Sequence, residues 1–148
     1  MSTSVRYLLD VNVWVALFDD AHTHSPIANA LVAKRGIKIA TCPLVENGVV
    51  RVMNVPQYGR AGAVGLERVR DQLRHATTVL KSEFWPDDIS IRDARHINLA
   101  KVHGHNQITD VYLLALAVKH GGALVTFDQR VVISAVPKAT AKHLVVLS

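Results

Sequence analysis

The chain has 148 residues, 49% hydrophobic and 20% charged, a balance that excludes a disordered or collagen-like protein and is met most simply by a single domain over 1–148. Its one cysteine, Cys42, excludes an intrachain disulfide and fits a reducing, cytoplasmic setting. The formal net charge of +5 favours polyanionic partners, and Arg60, Arg68, Arg70, Arg74 and His75 crowd one stretch while the acidic residues are scattered. A solvated helix face is the ordinary reading of such a cluster. No run reaches the ~18 apolar residues of a membrane span. The apolar stretch 7–18 is broken by Asp10 and Asn12 and has no small-residue cleavage site behind it, which argues against a secretory leader.

Along the chain, residues 5–9 (VRYLL) predict a short buried strand and 11–18 a helical turn or two directly after it. "HSPIANALVAKRG" predicts a helix with Ser25 as N-cap, Pro26 at the first helical position and Gly36 as terminator. "IKIAT", 37–41, is a second strand, and Pro43 opens a helix through about Met53. A basic helix follows over 61–77, and "SEFWP" adds a short strand around 83–85. Ser90 and Asp93 resemble a capping box at the start of a helix over "IRDARHINLAKVHG". "TDVYLLALAVKHGG" is a helix with Thr109 as N-cap and Gly121 as its end; "ALVTF" and "LVVL" are the last strands. Strands alternating with helices imply an α/β fold, a mostly parallel sheet with helices on both faces. Ligands in such folds bind at the carboxyl ends of the strands.

Carboxylates stand where that rule makes them informative. Asp10 directly follows "YLL" and Asp128 directly follows "ALVTF", so both belong at the C-terminal edge of the sheet. An aspartate that ends a strand often only starts a turn. Glu46 shares a helix face with Val49, Val50 and Met53, so it points with the core-facing stripe. Asp110 opens a helix that is apolar on every side, a place the helix dipole favours by about 0.3–1 kcal/mol. Singly, each has an ordinary structural explanation. Together, four carboxylates converging on one cleft repel one another unless some take up protons or a cation joins them. Hard divalent cations such as Mg²⁺ or Mn²⁺ resolve that conflict, and acidic metal sites on a basic protein suggest phosphate chemistry.

"LLDVNVW" near the N-terminus, "ENG" at 46–48, "FWPDD" at 84–88 and "ITDVYLLALAVKHGGALVTFD" at 108–128 resemble the PIN-domain ribonucleases, most of all the VapC-type toxins of bacterial toxin–antitoxin pairs. The resemblance extends from about residue 6 to 147. It implies a PIN fold and a Mg²⁺- or Mn²⁺-dependent endoribonuclease in which Asp10, Glu46, Asp110 and Asp128 form the acidic quartet. Asn12 and Thr126 match polar positions that support such a site. Asp10 and Asp110 would hold a metal most firmly, with Glu46 or Asp128 completing the ligand set or receiving the proton of the attacking water. Water attack would leave a 5′-phosphate and a 3′-hydroxyl. Arg51, Arg68, Arg70, Arg74 and Arg130 are candidates for holding the RNA backbone. The resemblance also implies a homodimer, a cognate VapB-type antitoxin, and a transfer or ribosomal RNA substrate; residues 22–32 and 44–55 offer apolar surface for the antitoxin or are simply core.

Other constellations are weaker. His22/His24 and His103/His105 lack the thiolates and ligand count of a structural zinc site. Cys42 has no context for a nucleophile, and "GRAGAVG" lacks the Lys-Ser/Thr of a phosphate loop. A PIN fold that binds RNA or protein without cutting would have no need of four mutually repelling carboxylates. A receiver-type phosphoacceptor domain would need an acidic pair after the first strand and a lysine after a late one, and neither is present.

Overall fold

The computed structural model describes residues 5–59 and 62–148. Strand β1 (Arg6–Leu9) runs straight into helix α1 (Val11–Phe18), and α2 (Ser25–Val32) returns the chain to strand β2 (Lys38–Thr41). Helices α3 (Pro43–Val52) and α4 (Leu66–Val79) lead to the two-residue strand β3 (Glu83–Phe84), and α5 (Ile108–Lys119), β4 (Ala123–Thr126) and β5 (Leu144–Val146) complete the fold. The five strands form one sheet in the order β3-β2-β1-β4-β5, and every pairing is parallel. The chain steps outward from β1 through β2 to β3, then crosses back to β4. Right-handed crossovers therefore put α1–α4 on one face and α5 on the other. The packing agrees: α1 lies on α2 and α3, α3 lies on α4, and α5 packs on β1 and β4.

Burial on two faces explains why β1 and β4 read as continuous apolar runs. Leu8, Leu9 and Leu124 from the strands, Trp14 from α1, and Leu113, Leu114 and Leu116 from α5 are fully buried. The close approach of β4 to β1 depends on Gly122. A Cβ there would stand 2.3 Å from the Arg6 carbonyl oxygen and 2.9 Å from the Trp85 ring. Neither backbone nor a buried indole yields easily, so Gly122→Ala is expected to cost about 1–3 kcal/mol. The melting temperature of this chain should then fall by roughly 2–12 °C, read by circular dichroism. An unchanged melting temperature would show that the β1–β4 approach is looser than described.

Four local expectations change. No helix forms over 90–103: Ser90 Oγ accepts from the Arg92 amide and Asp93 accepts from the Arg95 amide and guanidinium, so neither side chain caps a helix. A run of turns ends in a short 3₁₀ segment, Leu99–Lys101, capped by Asn98. Ser25 is the first residue inside α2 rather than its N-cap. Thr109 lies within the first turn of α5, behind Gln107. The basic helix expected over 61–77 begins at Leu66 and runs to Val79; position 61 of that expectation, and Arg60 of the basic cluster, lie outside the described residues.

Candidate active site

Register brings the strand-end carboxylates together. Leu9 pairs with Val125, so the next residue of β1, Asp10, lies beside Thr126 at the end of β4. The Asp10 amide donates to the Val125 carbonyl (2.9 Å), which extends the ladder by one residue before the chain turns into α1. One Asp10 oxygen accepts from the Val11 amide (2.7 Å) and the other from the Thr126 hydroxyl (2.7 Å). Asp10 is therefore a helix cap as well as a site residue, and only 5% of it is exposed. Burial raises its pKa above the usual carboxylate range, against the two hydrogen bonds, and the charge of Asp128 adds to the rise.

Thr126 is the hub. Its oxygen also accepts from the Asn12 side-chain amide (3.2 Å) and from the Asp128 backbone amide (3.0 Å), so Thr126 ties Asn12, Asp10 and Asp128 together. Asp110, in the first turn of α5, comes within hydrogen-bonding reach of Asp128. Burial, then the charge of Asp10 and the contact with Asp128, push its pKa to about 7. Asp128 is held low, first by Arg130, whose backbone amide (2.8 Å) and Nε (3.1 Å) both donate to it. Asp110 is thus the member of the pair that takes up a proton the more readily, as expected of crowded carboxylates.

Glu46 stands one strand away. Leu8 pairs with Ala40, which places Thr41 of β2 beside Leu9, and the Thr41 hydroxyl donates to Glu46 Oε2 (2.7 Å). The glutamate is half-buried at the same sheet edge in the first turn of α3. Two supports for it were missed in the sequence. Thr41 repeats the arrangement of Thr126, a strand-end hydroxyl fixing a carboxylate, and its place at the end of "IKIAT" was the available signal. Asp87, from the loop after β3, accepts from the Leu44 amide (3.1 Å) and caps α3, whose own N-cap, Cys42, makes no side-chain bond. Gly48 lets α3 close on α1: a Cβ there would stand 2.6 Å from Val11 Cγ2, next to Asp10.

The five arginines separate. Arg130 pairs with Asp128 at the site. Arg70 and Arg74 of α4 line one cleft with Glu46. Arg68 lines a different cavity with Asp19 and Tyr58, beyond the far end of α1. Arg51 is exposed on α3.

A PIN domain model matches residues 7–138. Ribonuclease VapC44 of Mycobacterium tuberculosis is 42% identical over 146 residues, covering 97% of this chain and 100% of that protein. The chain belongs to the PIN-domain VapC ribonucleases. Ribonuclease VapC38 of the same species, a second VapC relative, is 39% identical across 82% of this chain and 84% of its own. The fold is shared with VapBC2 from Rickettsia felis, seen in a crystal structure bound to a DNA fragment from their promoter: TM-score 0.55 and 17% identity over 95% of this chain and 96% of that one.

The VapC carboxylates suit a hard divalent cation by their chemistry. All are oxygen donors, Asp10 is buried with no cationic partner among the described residues, and burial, then its acidic neighbours, disfavours the ionised form of Asp110. Among the described residues no three acidic, imidazole or thiol side chains are already gathered closely enough to hold an ion. Holding a cation would therefore require side chains to move.

Proposed function

We propose that this VapC ribonuclease is a divalent-metal-dependent endoribonuclease toxin that hydrolyses RNA phosphodiester bonds and is neutralised by a VapB-type antitoxin. The single observation that carries the reading is the convergence of Asp10, Asp110 and Asp128 at the ends of β1, α5 and β4, where burial and mutual repulsion raise the Asp110 pKa and a cation would relieve that repulsion. The family membership supports the ribonuclease assignment.

Asp10 and Asp110 would hold the ion, with Glu46 or Asp128 beside it. When bound, Mg²⁺ or Mn²⁺ supplies positive charge that offsets the carboxylates and acidifies a water for attack on phosphorus. Thr126 keeps the Asp10 carboxylate in one orientation, which limits the reorganisation needed as charge develops. Asp128 or Glu46 takes the proton of the attacking water. Arg130, 77% exposed and free to swing, transfers from Asp128 to the phosphate as the pair opens. An antitoxin segment would find apolar surface in the cleft lined by Leu17, Phe18, Val32, Ala76, Val79 and Leu80, between α1, α2 and α4. Within residues 44–55, Val45, Val49 and Met53 are instead buried in the core.

The test is incubation of the purified chain with total RNA in Mg²⁺ or Mn²⁺ and in EDTA, followed by analysis of product ends. Cuts that need the ion and leave 5′-phosphate and 3′-hydroxyl ends are expected. Cutting that persists in EDTA, or 2′,3′-cyclic phosphate ends, would overturn the metal-assisted mechanism.

A further inference from the structure

The geometry points to a subsite for one unpaired nucleotide of the RNA in the cleft between α3 and α4, its phosphate held by Arg70 and Arg74 and its base edge facing Asn47. This rests on the ribonuclease reading and adds to it the path by which the strand leaves the acidic centre. The cleft has a volume of about 350 Å³ and is lined by Glu46, Asn47 and Val50 from α3 and by Arg70, Leu73 and Arg74 from α4. That volume is at the small end for ligand pockets, suited to a single nucleotide and too small for a duplex.

Three features make it a continuation of the site. Glu46 belongs to both: its carboxylate is fixed by Thr41 at the sheet edge, and the same residue forms the end wall of the cleft. A strand whose scissile phosphate lies at the aspartates therefore passes Glu46 to enter the cleft. The charge is distributed accordingly. Arg74 makes no ion pair among the described residues, and Arg70 leans only on its exposed neighbour Asp71, at 3.0 Å. Both guanidiniums are exposed on successive turns of α4, where residues i and i+4 lie on one face, so they present a paired fork to a phosphate. Finally, the floor is apolar: Leu73 is buried and Val50 half-buried beneath the polar rim. An apolar floor accepts the face of a base, and a neighbouring carboxamide such as Asn47 offers a donor and an acceptor to its edge.

Arg35 supplies the control. It lies in the turn that precedes β2, at the N-terminal end of that strand and so away from the carboxylates, and lines a separate cavity with Val5, Lys38 and Val145. The experiment uses the cleavage-deficient Asp10→Asn chain in Mg²⁺ and a fluorescent pool of short single-stranded RNAs of random sequence, read by anisotropy over a salt series. Adding Arg70→Gln and Arg74→Gln together should weaken binding at least ~10-fold and flatten the logarithmic salt dependence by about 0.7, one phosphate's worth on a single strand. Arg35→Gln, with the same change of charge per residue, should stay within about 2-fold of the parent. Asn47→Ala should leave the salt dependence unchanged and alter the base composition of the RNA retained, read by sequencing.

A logarithmic loss from Arg35→Gln as large per charge as that of the double variant would show a diffuse charge effect and overturn the subsite. So would full binding by the double variant, with the ribonuclease reading left standing if the wild-type chain still cuts RNA. An unaltered base composition with Asn47→Ala would remove the base contact. If the wild-type chain neither binds nor cuts RNA, the ribonuclease reading and the subsite fall together. All four substituted side chains are exposed, and matching melting temperatures confirm that each variant is folded.

Discussion

Asp10→Asn should reduce RNA cleavage by at least ~10³-fold while leaving the protein folded, because a cation-binding carboxylate contributes several kcal/mol to the transition state and each 1.4 kcal/mol is tenfold. The substitution conserves volume in a buried position. An asparagine cannot accept on both sides as Asp10 does from Val11 and Thr126, so about one hydrogen bond, ~1 kcal/mol, is lost. Removing a charge that burial disfavours offsets part of that loss. The melting temperature should therefore move by only a few degrees, about 2–4 °C for each kcal/mol in a chain of this size. Cleavage assays beside a thermal melt separate the two effects. Activity within tenfold of wild type would remove Asp10 from the chemistry.

Asp110→Asn should also abolish cleavage, but with the opposite effect on stability. The folded pKa of Asp110 is raised to about 7, above the value of about 3.9 expected unfolded. The native state therefore holds this proton more tightly than the unfolded state. Stability from this group is fully present below about pH 4 and is lost as the pH rises through about 7. Asp128, held low, acts in the opposite sense at the acid end, and its contribution is lost only as the pH falls below the ordinary carboxylate range. Without metal, the wild-type melting temperature should thus decline between about pH 5 and about pH 8 while that of Asp110→Asn stays flatter. At about pH 8 the variant should be the more stable by about 1–2 kcal/mol, a figure reduced for solvent screening of a partly exposed group, or roughly 2–8 °C. Mg²⁺ should raise the wild-type melting temperature and leave the variant unmoved. A variant less stable than wild type in EDTA at the alkaline end would contradict this account of the acidic centre.

The elements legible in the sequence were those whose signals are local. "RYLL", "KIAT" and "ALVT" announce strands by branched apolar runs, and α5 is apolar all round because it covers the β1–β4 face of the sheet. Asp10 and Asp128 could be placed at the sheet edge because each ends such a strand. What failed was decided at a distance or by competition among neighbours. Over 90–103 the capping pattern was real, but Arg92 and Arg95 claimed the Ser90 and Asp93 oxygens, and the Asn98 amide was drawn to the Ala135 carbonyl, 37 positions on. Glu46 was correctly placed on the α3 stripe with Val49 and Met53, yet its partner, Thr41, and the cap on its helix, Asp87, come from the ends of two strands. No periodicity reports such bonds. The grouping of Arg70 with Arg74, and the separation of both from Arg68, likewise follows from how α4 lies on α3.

The sheet order has a consequence for synthesis. β1 is the central strand, but Asp128, just past its neighbour β4, is made 118 residues after Asp10, about 6–24 s later at ~5–20 residues per second. A nascent chain that has reached Gly121 already carries Asp10, Glu46 and Asp110. It has neither the Thr126 hydroxyl that orients the first of them nor the Asp128 that faces the third. The arrangement around Asp10 and Asp110 is therefore completed only once β4 and Asp128 have been made, a delay built into the strand order.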